Sequence, residues 1–470
     1  MDQKMQSERL GTESIPTLLK NLSIPAIIGM FVMAFYNVVD TIFISYGVGI
    51  DAVAGVTIAF PLMMIIMAVA GALGIGGASV ISRRLGERRE GEANQVFGTV
   101  ISVVLIVSVI GAIGAFTFLE PLLLLFGATP DILPYAIDYM FPILIGTIFF
   151  SFSFATNNIV RSEGNAQFAM MTMIIPAVLN IILDPIFIFG LNMGVAGAAW
   201  ATVISQATVS VVLLHYYLTG KSSLSITWRD LIVRWNILKE VTAVGMPAFV
   251  QQASGSIMMI AINTMLVQHG GDLYLGIFGL IQRIIMFTVM PLIGVMQGMM
   301  PIVGYNFGAR KFERMRETIW LTLKVVTIAS VVISALLLLV PTWFLRIFTN
   351  DPVVLEEGAY AMRIMFIVFS VVGIQVVSGG LYQALGKAKP AMILSLSRQI
   401  IFLIPLVIIL PQFFGLTGVW LAFPVSDFLS TILAVYLLYR DRDTILVKGK
   451  DEDHDQGEEE PQIAVTSGGV

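Results

Sequence analysis

Cysteine is absent from the 470 residues of the sequence, and charged side chains are scarce. Without cysteine the chain can form no disulfide, no thiolate nucleophile and no cysteine-ligated metal site. Charged residues make up 12% of the chain and hydrophobic residues 57%, whereas soluble domains carry roughly 25% charged residues. Segments 52–82, 93–119 and 284–309 contain no Asp, Glu, Lys or Arg, and each exceeds the about 20 apolar residues that span a bilayer. The composition therefore predicts an integral membrane protein.

The residue sets that most enzymes need are also missing. The three histidines, His215, His269 and His454, have no metal-ligand spacing, and no Ser/His/Asp set can be assembled from them. The glycine-rich stretch from Gly71 lies inside a long apolar segment and lacks the lysine of a phosphate-binding loop. We therefore expect no enzyme activity, no cofactor and no nucleic acid partner.

The apolar segments predict an all-α membrane protein with twelve transmembrane helices. The predicted helices cover residues 18–46, 52–82, 93–119, 133–160, 167–190, 195–218, 238–268, 274–303, 315–345, 356–384, 390–410 and 416–440. Of the 27 basic residues, 22 fall at the ends assigned to the cytoplasm, one, Arg346, falls on the opposite side, and four lie within helices. Because cytoplasmic flanks collect Lys and Arg, a multi-pass plasma membrane protein with both termini in the cytoplasm is predicted. The N-terminal segment is polar for too long to be a signal peptide.

An internal repeat relates the two halves of the chain. At an offset of 222 residues, Pro25 aligns with Pro247, and Gly86 aligns with Gly308. Each unit contains six helices, so both units enter the membrane from the same side, as in transporters built from parallel repeats. The predicted divisions are a cytoplasmic N-terminal segment (1–17), an N-lobe (18–218), a cytoplasmic linker (219–237), a C-lobe (238–440) and a disordered acidic cytoplasmic tail (441–470).

One intramembrane acid lies in the first predicted helix. The sequence YNVVD places Tyr36, Asn37 and Asp40 at spacings of four and three, which puts them on one helical face. A carboxylate inside the bilayer is costly and usually faces the bundle interior or a watery cavity. Asp40 is therefore a candidate functional residue, with Tyr36 and Asn37 beside it.

A second acid lies in the fifth predicted helix, where Asn180 precedes Asp184 by one turn. Pro185 follows at once, so one backbone carbonyl in the preceding turn loses its usual helical donor. Polar side chains of the fourth and sixth helices can face the same pocket: Asn157, Thr202 and Gln206. The alternative interpretation of these neutral residues is packing through interhelical hydrogen bonds, which contribute about 0.6 kcal/mol on average in membranes.

The repeat indicates that the two acids are not required by the fold. At the same offset, Asp40 aligns with Ile262 and Asp184 with Leu406. Apart from Asp427, the membrane-interior charges of the second lobe are basic, and Arg398 is a candidate partner for Asp427.

Several segments of the sequence resemble the multidrug and toxic compound extrusion (MATE) family, particularly its prokaryotic DinF-like branch. The segments that carry the resemblance are LSIPAIIGMFVMAFYNVVDTIFIS from Leu22, ISRRLGE from Ile81, NNIVRSEGNA from Asn157 and LNIILDPIFIFGLNMGVAGAAWATVIS from Leu179. The resemblance implies a cation-coupled efflux antiporter with two six-helix lobes around a central cavity. In the other main branch, acids of the second lobe carry the coupling role, but here the seventh and eighth helices hold no acid beyond Glu240.

The resemblance also implies a coupling-cation site in the N-lobe. Its residues are Asp40, Asn180, Asp184 and Thr202, which would also be the ligands of Na+ if that is the coupling ion. The expected substrate cavity beside the site is lined by Tyr36, Asn37, Asn157 and Gln206. Both H+ and Na+ remain open, because a buried carboxylate favours a proton and the neutral oxygens could complete a sodium shell.

The leading hypothesis is a monomeric antiporter in the lipid bilayer that exports amphipathic, often cationic, compounds by alternating access. A flippase for a lipid-linked sugar or another lipid is the alternative within transport, and a cavity lined by basic residues would favour it. An intramembrane enzyme or a channel is the alternative from another class.

Overall fold

The computed structural model describes residues 3–220, 222–225 and 227–442. All regular secondary structure in that part of the chain is helical, which agrees with the predicted fold class. The helices of the first half are α1 (Gln3–Thr12), α2 (Ile15–Gly47), α3 (Ile50–Gly86), α4 (Glu90–Thr117), α5 (Leu119–Leu125), α6 (Leu133–Ser162), α7 (Ala166–Pro185) and α8 (Gly194–Leu218). The helices of the second half are α9 (Trp235–Gly270), α10 (Asp272–Gly308), α11 (Phe312–Leu339), α12 (Pro341–Arg346), α13 (Pro352–Met365), α14 (Phe369–Ala384), α15 (Ala388–Leu396), α16 (Ile404–Phe414) and α17 (Leu416–Arg440). Most of the predicted tail, 443–470, lies outside the described residues.

These helices supply twelve membrane crossings. Eleven helical spans in the described part of the chain are each long and apolar enough to cross a membrane. The twelfth consists of α13 and α14, which pass the same test together and meet at a bend of 55°. The twelve-helix fold is thus confirmed, with one correction: the tenth predicted helix, 356–384, is broken at 366–368.

Helix α1 was not predicted from the polar N-terminal sequence. It packs against the end of α10, where Asn306 Nδ2 donates a hydrogen bond to the Leu10 carbonyl oxygen at 2.9 Å. Lys311 Nζ donates to the Gly11 carbonyl oxygen at 2.8 Å. The N-terminal segment therefore contacts helices of the second repeat.

The two six-helix lobes meet through glycines that the repeat relates to each other. We refer to α2–α8 as the N-lobe and to α9–α17 as the C-lobe. Gly86 at the end of α3 lies against the backbone of Tyr305, and Gly308 at the end of α10 lies against the backbone of Arg83. A Cβ atom at either glycine would overlap a carbonyl oxygen, so glycine is what allows these two helices to cross so closely.

The segment 219–234 joins the lobes at one end of the bundle, which we call the linker end, and its last residues pack on α4. Ser102 Oγ of α4 donates to the Leu231 carbonyl oxygen at 2.7 Å. Arg234 donates to Gln95 Oε1 at 2.6 Å. The end of the connection is therefore attached to the N-lobe.

Polar contacts between the lobes are concentrated at the linker end. The Glu240 carboxylate, in the first turns of α9, accepts from Arg83 at 3.1 Å and from Arg84 at 3.2 Å. Ser79 Oγ donates to the Gln383 carbonyl oxygen at 2.5 Å. The lobes are therefore held together at the end that carries the linker and α1.

Candidate functional site

Asp40 and Asp184 come together inside the N-lobe, on the neighbouring helices α2 and α7. Asp184 is fully buried, and Asp40 is 9% exposed. Their side chains are close enough to hydrogen-bond to each other. Because a carboxylate has no proton to donate, a hydrogen bond between them forms only when one of the two groups is protonated.

Asn180 connects the acid pair to α8. Its Nδ2 donates to Asp184 Oδ1 at 3.1 Å and to Thr202 Oγ1 at 3.2 Å. After Pro185 the chain continues as a π-helical turn over Ile186–Gly190. Proline removes a backbone donor from the helix, and π turns frequently occur at functional sites. The cluster therefore combines groups from α2, α7 and α8 next to an irregular turn.

Three buried acceptor oxygens of this cluster have no donor within the described residues: Asp40 Oδ1, Asp184 Oδ2 and Asn180 Oδ1. Buried polar atoms are normally paired, so these oxygens leave room for a further partner. A proton or a cation that binds oxygen supplies one. The described residues contain no group of three or more His, Cys, Asp or Glu side chains that could hold a metal ion. A cation here would depend on two carboxylates and on the neutral oxygens of Asn180 and Thr202.

A cavity of about 50 Å³ lies beside the acid pair, between α2, α3, α6 and α8. Its polar lining residues are Tyr36, Thr147, Thr202 and Gln206. The remaining walls are apolar and include Met63, Met67 and Phe150. Such walls with a few polar groups resemble those of small-molecule sites, but the cavity is smaller than the roughly 300–1,000 Å³ that drug-sized ligands need. Thr202 belongs both to this cavity and to the hydrogen-bonded cluster around Asp184.

Two of the predicted cavity residues, Asn37 and Asn157, do not line this cavity. Asn37 is exposed on α2, and its Nδ2 donates to the Met33 carbonyl oxygen of the same helix at 2.7 Å. Asn157 Nδ2 donates to the Ala169 carbonyl oxygen at 2.7 Å and to Thr172 Oγ1 at 2.8 Å. The contacts of Asn157 therefore join α6 to α7 and are not directed at the acids.

Tyr139 of α6 was not predicted as a site residue. It is 4% exposed and lies close enough to Asp40 and Asp184 to interact electrostatically with both. No motif or spacing in the sequence distinguishes it from the other aromatic residues of the bundle. Glu240 was predicted only as an acid at the start of a helix. The pairing of Glu240 with Arg83 and Arg84 depends on how the two lobes meet, which periodicity along one chain does not reveal.

The aligned positions of the C-lobe are apolar, as the repeat predicts. Ile262, which aligns with Asp40, is fully buried. The buried acid among the C-lobe helices is Asp427, and its Oδ1 accepts from Arg398 Nε at 2.7 Å, which confirms the predicted pairing. The C-lobe acid is thus neutralised by an arginine, whereas the N-lobe acids have only each other and neutral groups.

Relatives of known function match nearly the whole chain. The sequence model of the MatE family matches residues 25–186 and 247–409, two stretches whose starts lie 222 residues apart. The chain is 25% identical over 434 residues to the multidrug export protein MepA of Staphylococcus haemolyticus (strain JCSC1435). That match covers 92% of this chain and 95% of the relative.

Solved structures match the fold equally well. One is the MATE multidrug transporter DinF-BH, solved in complex with a ligand, with 66% identity and a TM-score of 0.88 over 94% of this chain and 99% of that chain. Another is the outward-facing conformation of a multidrug resistance MATE family transporter of the MOP superfamily. It is 28% identical with a TM-score of 0.88, over 93% of this chain and 98% of that chain.

Proposed function

The chain belongs to the MatE family, whose members are transporters and not enzymes, and on that premise we propose that it is a cation-coupled multidrug antiporter. It exports amphipathic, often cationic, compounds by alternating access, in exchange for H+ or Na+ that moves inward. It acts as a monomer in the plasma membrane, with both termini in the cytoplasm. The observation that carries the proposal is the buried pair of Asp40 and Asp184, which has no basic partner among its described contacts.

The acid pair performs the exchange through its charge. When one carboxyl is protonated, the pair can share a hydrogen bond, because the two side chains lie close enough for one. When both groups are ionised, two adjacent negative charges repel each other and attract a cation. A cationic substrate and the coupling ion therefore compete for the same negative charge, which is the requirement for antiport.

Sodium fits the same residues chemically. Its ligands would be the carboxylate oxygens of Asp40 and Asp184 with the amide oxygen of Asn180 and the hydroxyl of Thr202. Three of these atoms, Asp40 Oδ1, Asp184 Oδ2 and Asn180 Oδ1, are buried acceptors without a donor in the described chain. Hard cations prefer such oxygen ligands. Transport measured under separate H+ and Na+ gradients therefore distinguishes the two ions.

The conformation in this structure corresponds to closure at the linker end. The contacts of Glu240 with Arg83 and Arg84 join the lobes there, and the 28% identical relative of the same fold was solved in an outward-facing conformation. Because the positive-inside rule assigns the linker end to the cytoplasm, we infer an outward-facing state. Alternating access then requires these inter-lobe contacts to break while contacts form at the opposite end.

Purified protein in liposomes tests the proposal directly. Ethidium, a fluorescent amphipathic cation of the proposed substrate class, is loaded as the probe, and H+ and Na+ gradients are imposed separately. We expect ethidium to move against its own gradient when one of the two ion gradients is present and not otherwise. Movement without dependence on either ion gradient, or lipid scrambling in its place, would reject the antiporter and favour the flippase.

A further inference from the structure

Arg161, in the last turn of α6, is a buried arginine without an acidic partner. Arg161 is 6% exposed. It makes no ion pair within the described residues, and its partners are the neutral oxygens Gln297 Oε1 of α10 and Asn157 Oδ1. An uncompensated buried charge is strongly unfavourable, because desolvation costs several kcal/mol. The position therefore calls for a counter-charge.

Two acids at the linker end, Glu163 and Glu240, are engaged elsewhere. The Glu163 carboxylate accepts from Tyr217, Ser222 and the backbone N–H of Ser223, all of which belong to the end of α8 and the linker. Glu240 is held by two other arginines, as described above. Neither acid neutralises Arg161.

Several side-chain N–H groups around Arg161, contributed by both lobes, form no hydrogen bond within the described residues. Arg161 has five N–H groups, and only two of its nitrogens form hydrogen bonds in the described chain. The side-chain amide nitrogens of Gln297 and Gln383 likewise donate no hydrogen bond among the described residues. Both glutamines belong to the C-lobe, whereas Arg161 belongs to the N-lobe.

These three side chains line one cavity of about 60 Å³ between the lobes. Further polar lining residues are Ser79, Ser82 and Asn158. The volume is far below the roughly 300–1,000 Å³ of sites for drug-sized ligands, so the cavity suits an ion or a few water molecules and not the exported compound. A guanidinium with neighbouring amide donors is chemically an anion site.

We propose that this cavity binds a small monovalent inorganic anion, such as chloride, between Arg161, Gln297 and Gln383. A monovalent ion matches the single positive charge of Arg161. Because the donors come from both lobes, the complete site exists only while the linker end is closed. By linkage, the anion stabilises that closed state. This role goes beyond the proposed antiport, because it depends on neither Asp40 nor the identity of the coupling cation.

Spin labels across the linker end test the proposal in the full-length protein. The chain has no native cysteine, so cysteines at Gly91 of α4 and Glu313 of α11, both exposed, give a single inter-lobe distance. At fixed pH and cation concentration, chloride is replaced by gluconate, which is too large for the cavity. We expect the population with the longer distance, open at the linker end, to rise relative to the closed population by about fivefold or more.

Variants separate anion binding from other effects of the buffer. Arg161→Gln should abolish the response to chloride, whereas Arg316→Gln, which removes an exposed arginine at the same end of the bundle, should leave it intact. If Arg161→Gln does not fold, Gln297→Leu and Gln383→Leu should each weaken the response, since they remove donors without removing charge. An unchanged distance distribution in gluconate, or a full chloride response without the arginine or the amides, would mean that only water fills the cavity and would overturn the proposal.

Discussion

Asp40 and Asp184 reach each other from α2 and α7 and form a carboxyl pair that no basic residue neutralises within its described contacts. The opposite arrangement occurs in the C-lobe, where Asp427 is paired with Arg398. Both lobes contain a π-helical turn near these residues, at Ile186–Gly190 and Ser397–Leu403. The two lobes thus share one repeated fold but differ in charge. The C-lobe pair is already neutral, whereas the N-lobe acids must take their neutralising charge from outside the chain.

The first prediction follows from that difference in charge. Asp40→Asn and Asp184→Asn should each reduce ion-driven efflux to the level of protein-free liposomes, because an amide keeps the shape of the carboxyl but cannot gain or lose a proton. Expression and thermal stability should stay near those of the original protein. Asp51→Asn, which alters an exposed acid at the start of α3, is the matched control and should transport normally. Normal efflux by both site variants would rule out the acid pair as the coupling site.

Much of this site could be predicted from the sequence because its signals are local. The spacing of Asn180 and Asp184 fixes them on one face of a helix, and the cost of an intramembrane acid marks Asp40 whatever its neighbours are. The twelve crossings follow from apolar length alone. These inferences need only the period of a helix and the thickness of a bilayer.

The remaining features depend on contacts between distant segments. The pairing of Glu240 with Arg83, the place of Tyr139 beside the acids, and the bond from Arg161 to Gln297 each require the relative position of two helices. The break between α13 and α14 has no proline at its centre, so no residue type there indicates it. Helical periodicity indicates which face of a helix is polar, but not which helix that face meets.

The second prediction concerns the closure of the linker end. Glu240→Gln should favour opening there by about 1 kcal/mol, or about fivefold in population, since it weakens two partly exposed ion pairs with Arg83 and Arg84. The spin-label distance between residues 91 and 313 measures the change. Glu92→Gln is the control, because Glu92 also pairs with Arg84, at 3.2 Å, but lies in the same lobe. Equal effects of the two substitutions would show that the inter-lobe pairing does not contribute to closure.

The third prediction is a pH dependence of stability at Glu163, which follows the last residue of α6. Burial raises the pKa of the Glu163 carboxyl from 4.5 to about 7, despite its hydrogen bonds from Ser222, Ser223 and Tyr217. The folded protein therefore binds this proton more tightly than the unfolded chain, so stability is lost as the pH rises from about 4.5 to 7.

Glu163→Gln removes that loss. The free energy of unfolding of the variant, relative to that of the original protein, should therefore rise by about 3 kcal/mol up to pH 7 and then level off. Thermal unfolding of both proteins across this pH range gives the difference directly, and groups that titrate in both proteins cancel. A difference that stays constant with pH would show that the buried carboxyl does not titrate in this window.

The fourth prediction is the orientation in the membrane. The distribution of basic residues places both termini and the linker end in the cytoplasm. In whole cells, a single cysteine at Asp51 should react with an impermeant thiol reagent, and one at Arg88 should react only after the cells are made permeable. The native chain contributes no background, because it has no cysteine. The reverse labelling pattern would invert the orientation and, with it, the outward-facing assignment.

The fifth prediction concerns the neutral residues of the cation site. Asn180 donates to Asp184 and to Thr202, so both neutral residues orient or complete the site without adding a titratable charge. If Na+ is the coupling ion, Asn180→Ala and Thr202→Ala should weaken its apparent affinity by about tenfold, since an interaction with a charged group contributes about 1.5–3 kcal/mol. Saturating ion should restore most of their efflux rate and none of that of Asp40→Asn.

The size of the Thr202 effect then discriminates between the two ions. A sodium shell needs several oxygens, so loss of the Thr202 hydroxyl should be severe if Na+ is coupled, whereas a proton needs one carboxyl and should tolerate that loss. Efflux driven by separate H+ and Na+ gradients, titrated for each variant, measures this. Ser205→Ala is a matched control, because the Ser205 hydroxyl on the same helix bonds only to the Ala201 carbonyl among the residues that the structure describes. If saturating ion leaves Asn180→Ala and Thr202→Ala as inactive as Asp40→Asn, these residues do not share a cation site with the acid pair and act in packing or in substrate binding instead.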